Sequence, residues 1–402
     1  MASLKLGSFD SGKKPADLDT YFKPMHGIMA PALQKLKKFR DDGKWRPFEQ
    51  ATGNEVWELQ QFLHDAGFLP HNKPTGIFDY VTLAGVRLFQ EYVRTIEGNS
   101  DIGTPDGIIG TKGRAHVDRW KKAGLKASWG KASPSSPSAE YTKWMNMLNK
   151  AKAHFQANQH PVLKASEAFT GNTDTRKLAE WSFDPTDTHL IGIRRNEDRK
   201  ELSRVNDDLF ILLINGLCFK FWGSTDPSAK LAGRNDEPFL VAGQHVYRFG
   251  WHKVSNAEKV YKALKPSKMQ GVLVLRDTDN DNAFTDVEIA KGKLTANNSI
   301  NIHWSGIGSF NFSAGCQVIA GQSYINDQDQ KIDCRGHASS SYAGLKSGKT
   351  MGAYNVLADL IMAYAPVGKH EVIYTLGRDG ALDLEPGLGE AYAGQLVDRM
   401  KK

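Results

Sequence analysis

A histidine and a cysteine lie in one glycine-rich segment of this 402-residue chain. His303 stands in the run Asn-Ile-His-Trp-Ser-Gly, and Cys316 stands in the run Phe-Ser-Ala-Gly-Cys-Gln-Val. A thiol becomes a useful nucleophile when a neighbouring imidazole removes its proton or lowers its pKa. Gly315 lets the backbone approach a substrate closely, and the amides around Cys316 can donate to an oxyanion. The spacing lets a strand with Cys316 turn back beside one with His303, so the pattern predicts a cysteine acyl-transfer site.

The other two cysteines lack this setting. Cys218 belongs to an apolar stretch, which predicts a position in the core. Cys334 has Arg335 and His337 as neighbours that can activate a thiol, which makes it the competing candidate. A structural role for Cys316 is the alternative, because free cysteines are commonly buried. Three scattered cysteines do not form a disulfide framework, which fits a reduced catalytic thiol.

The sequence around Cys316 resembles a known signature. Ser313, Gly315 and Cys316, with His303 upstream, resemble the motif of L,D-transpeptidase (YkuD-type) catalytic domains. The resemblance implies that Cys316 attacks the peptide stems of bacterial peptidoglycan, that His303 is the base, and that Ser313 and Gly315 shape the site. This chain has Ala314 where the family usually has histidine, and Val318 where it usually has arginine. The bond attacked and the acyl acceptor therefore stay open.

Further side chains near the motif are expected to assist. Ser305, like Ser313, is expected to orient the imidazole or the substrate. Trp304 and Gln317 flank the two reactive residues and are expected to contact substrate. Arg276 can meet a stem carboxylate, with an ion pair to a neighbouring acid as the alternative role.

An acidic run follows Arg276 and matches the ligand spacing of a calcium loop. Counted from Asp277 as position 1, Asp279 and Asp281 occupy positions 3 and 5, and Glu288 occupies position 12. The alternative is an ordinary metal-free turn rich in aspartate and asparagine. Calcium is thus a possible cofactor, and the proposed chemistry requires none. The histidines and cysteines lack the close pairing of short zinc motifs.

An internal repeat lies nearer the N-terminus. Its positions recur 31 residues apart (107 − 76 = 31) as the pairs Gly76/Gly107, Ile77/Ile108, Ala84/Ala115, Val86/Val117 and Phe89/Trp120. Each unit is a glycine turn followed by an amphipathic helix, and such units must pack together to bury their apolar faces. A preceding helix is expected to begin at an Asn54 cap. Residues 50–122 resemble the small helical peptidoglycan-binding domain (PG-binding-1 type), with a module that binds a protein partner as the alternative.

The remaining texture predicts a multidomain α+β chain. We expect an N-terminal extension over 1–49, the peptidoglycan-binding domain over 50–122 and a Pro/Ser-rich linker over 123–140. A helical connector over 141–185 and an L,D-transpeptidase-like domain over 186–402 follow, the latter mainly β with flanking helices. Apolar runs separated by Gly, Asp and Asn turns predict its strands. A helix is predicted over 353–363 and a late strand over 371–376.

The chain is basic, with a formal net charge of +7. Basic charge favours anionic partners such as a wall polymer. The sequence has no block of Lys and Arg interleaved with aromatic residues, so it does not predict nucleic-acid binding. No apolar stretch is long enough to span a bilayer, and the first residues lack the apolar core of a Sec signal. We expect synthesis in the cytoplasm and action on the cell wall or periplasm after phage lysis or delivery by a secretion apparatus. A secretion or phage-tail spike and a cognate immunity protein are the partners this route implies.

The sequence thus predicts a peptidoglycan-modifying enzyme that acts on stem peptides by cysteine acyl transfer. Transpeptidase, carboxypeptidase and endopeptidase reactions all use this chemistry. Such an enzyme is a candidate bacteriolytic effector. The alternative is a non-catalytic wall-binding component of a phage tail or contractile injection particle.

Overall fold

The computed structural model describes residues 2–13, 49–195, 205–228, 237–253, 261–279 and 284–402. Its helices are α1 (Glu55–Asp65), α2 (Tyr80–Thr95), α3 (Thr111–Ala123), α4 (Ala139–Ala157), α5 (Pro161–Ala168), α6 (Asp286–Lys291), α7 (Tyr342–Lys346), α8 (Ala353–Tyr364) and α9 (Glu390–Lys401). Its strands are β1 (Ser8–Phe9), β2 (Glu49–Gln50), β3 (Thr188–Arg194), β4 (Asp208–Ile214), β5 (Leu217–Ser224), β6 (Pro238–Leu240), β7 (Gly243–His252), β8 (Tyr261–Pro266), β9 (Val272–Arg276), β10 (Leu294–Asn297), β11 (Ile302–Trp304), β12 (Gln317–Ile319), β13 (Ser323–Ile325), β14 (Lys331–Asp333) and β15 (Glu371–Arg378). The fold mixes α and β structure, as expected.

The two repeats use the same glutamine device to hold their glycine turns. The Gln60 carboxamide accepts from the amides of Thr75 (2.7 Å) and Gly76 (2.9 Å) and donates to the Ile77 carbonyl (2.9 Å). Gln90 likewise accepts from the Gly107 amide (2.8 Å) and donates to the Ile108 carbonyl (3.1 Å). Each buried side chain therefore satisfies backbone groups that the turn leaves without strand partners. Residues 55–123, which hold α1 to α3, are called the repeat unit below.

Residues near the N-terminus complete this unit. The backbone of Leu4 exchanges hydrogen bonds with Ile109 (3.0 and 2.8 Å). The Asp10 carboxylate accepts from the amides of Val56 and Trp57, both at 2.8 Å, and so caps α1. Asn54 is the residue before α1, as predicted, but its side chain makes no capping hydrogen bond. A carboxylate supplied from a distant part of the chain takes its place.

The C-terminal half is built on a sheet that closes on itself. Its strand order is β12-β11-β8-β7-β15-β3-β4-β5, and an antiparallel pairing of β5 with β12 completes a ring of eight strands. β13 and β14 extend the sheet beyond β5, and β6, β9 and β10 form a separate three-stranded sheet. β3 pairs in parallel with β15 and β11 with β12, whereas the other pairings in the ring are antiparallel.

Side chains on the two faces of the ring strands enter different hydrophobic clusters. Alternate residues of β4, such as Ile211, pack with Trp144 of α4 and Val397 of α9. The intervening residues, such as Phe210, belong to a larger cluster that also holds Leu357 of α8. This alternation is the period of two expected for a strand buried on both faces. All residues of β3, β4 and β5 are buried.

The larger cluster also contains the core of the repeat unit, so the two halves share one continuous hydrophobic core. Trp129 is fully buried, and its ring packs edge-on against Tyr92 and Phe219 at centroid distances of 5.1 and 5.4 Å. Tyr364 Oη donates to the Gly67 carbonyl at 2.6 Å. The stretch predicted as a linker is therefore packed between the halves. The multidomain division itself stays a prediction.

Within the described part of the chain, no helix combines the length and apolar character needed to cross a membrane.

Candidate active site between β11 and β12

The two predicted reactive residues lie on neighbouring strands. His303 is the middle residue of β11, and Cys316 immediately precedes β12. The strands pair in parallel, with His303 opposite Val318 and the Gln317 amide donating to the Asn301 carbonyl at 2.9 Å. Because the strands are parallel, the loop over 305–316 crosses back along their length and does not make a hairpin turn. Cys316 is therefore a diagonal neighbour of His303.

The Cys316 thiol is held by backbone groups. Its Sγ donates to the Ser299 carbonyl and accepts from the Asn301 amide, both at 3.3 Å. Burial raises the pKa of the Cys316 thiol, while the Asn301 amide, the Ser313 hydroxyl and the nearby Lys253 lower it in part. The net direction is upward, so the resting thiol is protonated near neutral pH.

His303 is arranged as a neutral base. Its Nδ1 lies 2.9 Å from the Trp304 carbonyl and 3.0 Å from Tyr261 Oη. A carbonyl only accepts, so Nδ1 carries the proton and Nε2 keeps its lone pair. Burial lowers the pKa of His303 to about 4, opposed by the Trp304 carbonyl. The imidazole is therefore neutral over the physiological pH range, with Nε2 unprotonated.

No hydrogen bond joins the His303 ring to Cys316 Sγ among the contacts of these two described residues. Nε2 of His303 has no partner in the described part of the site. Catalytic hydrogen bonds are often long in unliganded enzymes and tighten only with substrate. The arrangement thus supplies a thiol and a base on neighbouring strands, and proton transfer between them requires a change in side-chain position.

A second histidine and an asparagine complete the cluster, and sequence reasoning missed both. The His252 ring stacks on His303 with centroids 4.2 Å apart, and its Nδ1 accepts from Asn301 Nδ2 at 3.1 Å. Burial and the neighbouring His303 lower the pKa of His252 to about 3. Asn301 Oδ1 is buried and has no hydrogen-bond donor within the described ranges. The only sequence signal for this cluster was the position of Asn301 beside the motif. His252 lies far from the motif in sequence and is brought to the site by the pairing of β7 with β8.

Gly315 fits its position for a different reason from the one expected. Its φ is +132°, and a Cβ there would lie 2.6 Å from Pro238 Cγ. The close backbone approach is therefore to Pro238 of β6, inside the protein. The Gly315 amide donates to Ser313 Oγ at 3.3 Å, whereas the Cys316 amide has no hydrogen-bond partner among the described residues. Cys316 N–H is thus the candidate oxyanion donor.

The substrate-binding roles expected of Trp304 and Gln317 are corrected by the structure. Gln317 is fully buried, donates to the Thr225 carbonyl and accepts from Tyr374 Oη, both at 3.0 Å. Trp304 is also buried and packs edge-on against Tyr342. Neighbouring residues of a strand point to opposite faces, so the residues next to His303 and Cys316 face the core.

Ser305 and Arg276 each donate a hydrogen bond to a residue other than His303 and Cys316. Ser305 Oγ donates to the Phe310 carbonyl at 3.3 Å and makes no hydrogen bond to the imidazole among the contacts the structure describes. Arg276 pairs across β9 and β6 with Pro238, which packs on Gly315. Its Nε donates to Thr295 Oγ1 at 3.3 Å. The expected contact of Arg276 with a substrate carboxylate stays a prediction.

Two aromatic side chains on the loop were not foreseen. Phe310 and Phe312 are each 58% exposed, and their rings meet edge-to-face at a centroid distance of 6.1 Å. Large exposed apolar groups beside a reactive residue are typical of a contact surface. The sequence signal was the Phe-Asn-Phe spacing just before Ser313.

The competing cysteines are unsuited to catalysis. Cys334 is fully buried, and burial raises its pKa well above the ordinary range, with the Glu91 carboxylate adding to the shift. Glu91 also accepts from Tyr324 Oη at 3.1 Å and lies 3.5 Å from His337 Nε2, which forms a buried polar network between the halves. Burial raises the pKa of Cys218 to about 12. Cys316 alone of the three is partly exposed.

Three residues of the acidic run come together. Carboxylate oxygens of Asp277, Asp279 and Glu288 all lie within 4.8 Å of one another. Asp281, the fourth predicted ligand, lies outside the described residues.

The chain matches no protein-family model, no curated protein sequence and no solved structure, so residue chemistry and geometry carry the functional argument.

Proposed function

We propose that this chain modifies peptidoglycan by transferring acyl groups of stem peptides through Cys316. The observation that carries the proposal is the pairing on adjacent strands of a partly exposed thiol with a neutral imidazole whose Nε2 has no hydrogen-bond partner among the described residues. A backbone carbonyl fixes the tautomer in which Nε2 can act as a base. Nucleophilic cysteine catalysis pairs a thiol with a base of this kind.

In the proposed reaction, His303 Nε2 takes the proton of Cys316 Sγ as the sulfur attacks a peptide carbonyl carbon. The Cys316 amide donates to the oxygen of the tetrahedral intermediate. When the carbon–nitrogen bond breaks, the leaving amine takes the proton from His303, and a thioester remains. An acceptor amine or water then attacks the thioester and passes a proton to His303, which returns it to the thiol. Exchange and hydrolysis differ only in that acceptor.

Asn301 gives this site a place for the substrate backbone. Its Oδ1 is buried and accepts no hydrogen bond from a residue that the structure describes, while its Nδ2 is bound to His252. A buried unsatisfied acceptor costs about 1–3 kcal/mol, which a substrate N–H can recover. The exposed rings of Phe310 and Phe312, on the loop before Cys316, provide an apolar surface.

The repeat unit supplies a candidate wall-binding surface. Trp57 is 45% exposed and borders a groove with Gln61, Asp65 and Lys121. An exposed aromatic ring among polar side chains can stack on a sugar while its neighbours bind hydroxyl groups. The basic chain charge also favours an anionic polymer.

Muropeptide profiling by mass spectrometry tests the reaction. Purified sacculi are incubated with wild type, with Cys316→Ala, and with Cys218→Ala as a thiol control remote from the site. We expect new muropeptides from wild type and Cys218→Ala and none from Cys316→Ala, with masses that separate hydrolysis from exchange. Products that persist in Cys316→Ala would refute the assignment of the nucleophile.

Co-sedimentation with sacculi tests the wall-binding surface. We expect Trp57→Ala to reduce binding several-fold and the matched control Ile108→Ala, an exposed residue in the second repeat, to leave it unchanged. Equal binding by all three proteins would remove Trp57 from the surface.

The second candidate is a non-catalytic wall-binding component of a phage tail or contractile injection particle. The raised pKa of Cys316 and the missing hydrogen bond to His303 favour it. It predicts identical muropeptide profiles for wild type and Cys316→Ala with sacculus binding intact. In either case we propose delivery to the wall by lysis or a secretion apparatus, with a spike and an immunity protein as partners.

A further inference from the structure

Carboxylates from the end of β9 and from α6 come together in one cluster. Asp277 is 1% exposed and Glu288 is 0% exposed, and their carboxylate oxygens lie within 4.8 Å of each other and of Asp279. Carboxylates held this close repel one another and are costly to bury. A cation between them would remove both costs.

Glu288 shows where such a cation would bind. Its Oε2 accepts from the amide and hydroxyl of Thr285, both at 2.8 Å, and so caps α6. Its Oε1 is buried and accepts no hydrogen bond from any described residue. The α6 cap fixes this side chain, so one oxygen is held in place and left without a donor. An unpaired buried oxygen beside two further carboxylates is a preformed ligand set for a hard cation.

We propose that Asp277, Asp279 and Glu288 bind one calcium ion. Calcium–oxygen distances of about 2.3–2.6 Å place opposite ligands up to about 5 Å apart, so oxygens within 4.8 Å of one another fit a single coordination sphere. The residues stand at loop positions 1, 3 and 12, and a helix, α6, begins near the end of the loop. The pattern begins directly after strand β9, and its last residue, Glu288, lies in α6. Asp279 is exposed and leaves an entry path for the ion.

The site is also connected to the reactive loop. The Asp277 amide donates to the Glu237 carbonyl at 3.0 Å, and Arg276 pairs with Pro238. Pro238 in turn packs against Gly315, the residue before Cys316. An ion at the end of β9 therefore stabilises the position of Pro238, against which the residue before Cys316 packs. Calcium binding at this site does not depend on the reaction at that thiol.

Isothermal titration of the full chain, after chelator treatment, tests the proposal. We expect one calcium per chain with a dissociation constant of about 10⁻⁵–10⁻³ M, weaker binding of magnesium and a higher melting temperature with calcium. Asp279→Asn alters an exposed residue, and Glu288→Gln keeps a side chain that can still cap α6. We expect each to weaken calcium binding about tenfold or more, and Asp118→Asn, on the exposed face of α3, to leave it unchanged.

Absence of a binding signal in millimolar calcium, or an unchanged affinity in both variants, would overturn the site. The connection to the loop has its own readout, which is alkylation of Cys316 with iodoacetamide. We expect calcium to slow alkylation at least twofold in wild type and to have no effect in Glu288→Gln. Equal rates with and without calcium would overturn the connection.

Discussion

Replacing Gly315 with alanine tests whether the contact between Gly315 and Pro238 holds the loop over 305–316 in place. A Cβ at Gly315 would lie 2.6 Å from Pro238 Cγ and 2.9 Å from the Pro238 carbonyl oxygen. Gly243 provides a matched control, because its φ of +134° is nearly the +132° of Gly315. A Cβ at Gly243 would come no closer than 3.5 Å to Trp181, which is ordinary contact.

The two substitutions share a backbone cost and differ in the contact. A non-glycine residue in this backbone region costs about 1–3 kcal/mol, which is the loss expected for Gly243→Ala. Gly315→Ala also forces a methyl group against a proline ring and a backbone oxygen, and such overpacking costs about 1–3 kcal/mol more. We therefore expect Gly315→Ala to lose about 2–6 kcal/mol of unfolding free energy.

Equilibrium urea unfolding, followed by tryptophan fluorescence, measures this difference. The second readout is Cys316 alkylation located by peptide mass spectrometry. We expect faster alkylation in Gly315→Ala, because a displaced loop loses the contacts of Sγ with Ser299 and Asn301, and an unchanged rate in Gly243→Ala. Equal unfolding midpoints for the two variants, together with equal alkylation rates, would refute the role of Pro238.

Three further results follow from the same contacts. Because burial raises the pKa of the Cys316 thiol, its alkylation should be slower than that of a free cysteine near neutral pH and should still rise with pH above about 8.5, where the rate of a free cysteine levels off; a rate that levels off at the same pH as that of a free cysteine would contradict this. Gln60→Ala should cost about 1–3 kcal/mol in urea unfolding, because it leaves the turn amides unpaired, whereas Gln61→Ala should cost less than about 0.5 kcal/mol. Burial lowers the pKa of His245 from 6.5 to about 4, so its neutral form contributes stability that is present above pH 6.5 and lost as pH falls through about 4. The loss amounts to about 3 kcal/mol, and His245→Gln should flatten the acid limb of the stability profile.

Periodic features of the chain were predictable from sequence. The helix predicted over 353–363 is α8 (Ala353–Tyr364), and the strand predicted over 371–376 is β15 (Glu371–Arg378). Both are continuous apolar segments whose local pattern decides the element. The repeat was also predictable, because the turn of each unit requires glycine at the corresponding position.

Features that depend on distant contacts were not predictable. Asp10 replaces Asn54 as the cap of α1 because a sheet contact between β1 and β2 carries it there. His252 reaches His303 through the pairing of β7, β8 and β11, which no local pattern encodes. The inward orientation of Gln317 was available from strand alternation, since its neighbour Cys316 was assigned to the site.

The shared core of the repeat unit and the ring has a consequence for reach. A domain on a flexible tether samples a volume that grows with tether length, and its effective concentration near any one target falls accordingly. Here contacts of Trp129 and Tyr364 join the repeat unit to the half that carries Cys316, so side-chain packing sets the distance between the repeat unit and Cys316. A polymer bound at Trp57, as proposed, would then place at Cys316 only those bonds that lie at one fixed distance from the bound unit. The protein would thus select bonds by their distance along the polymer.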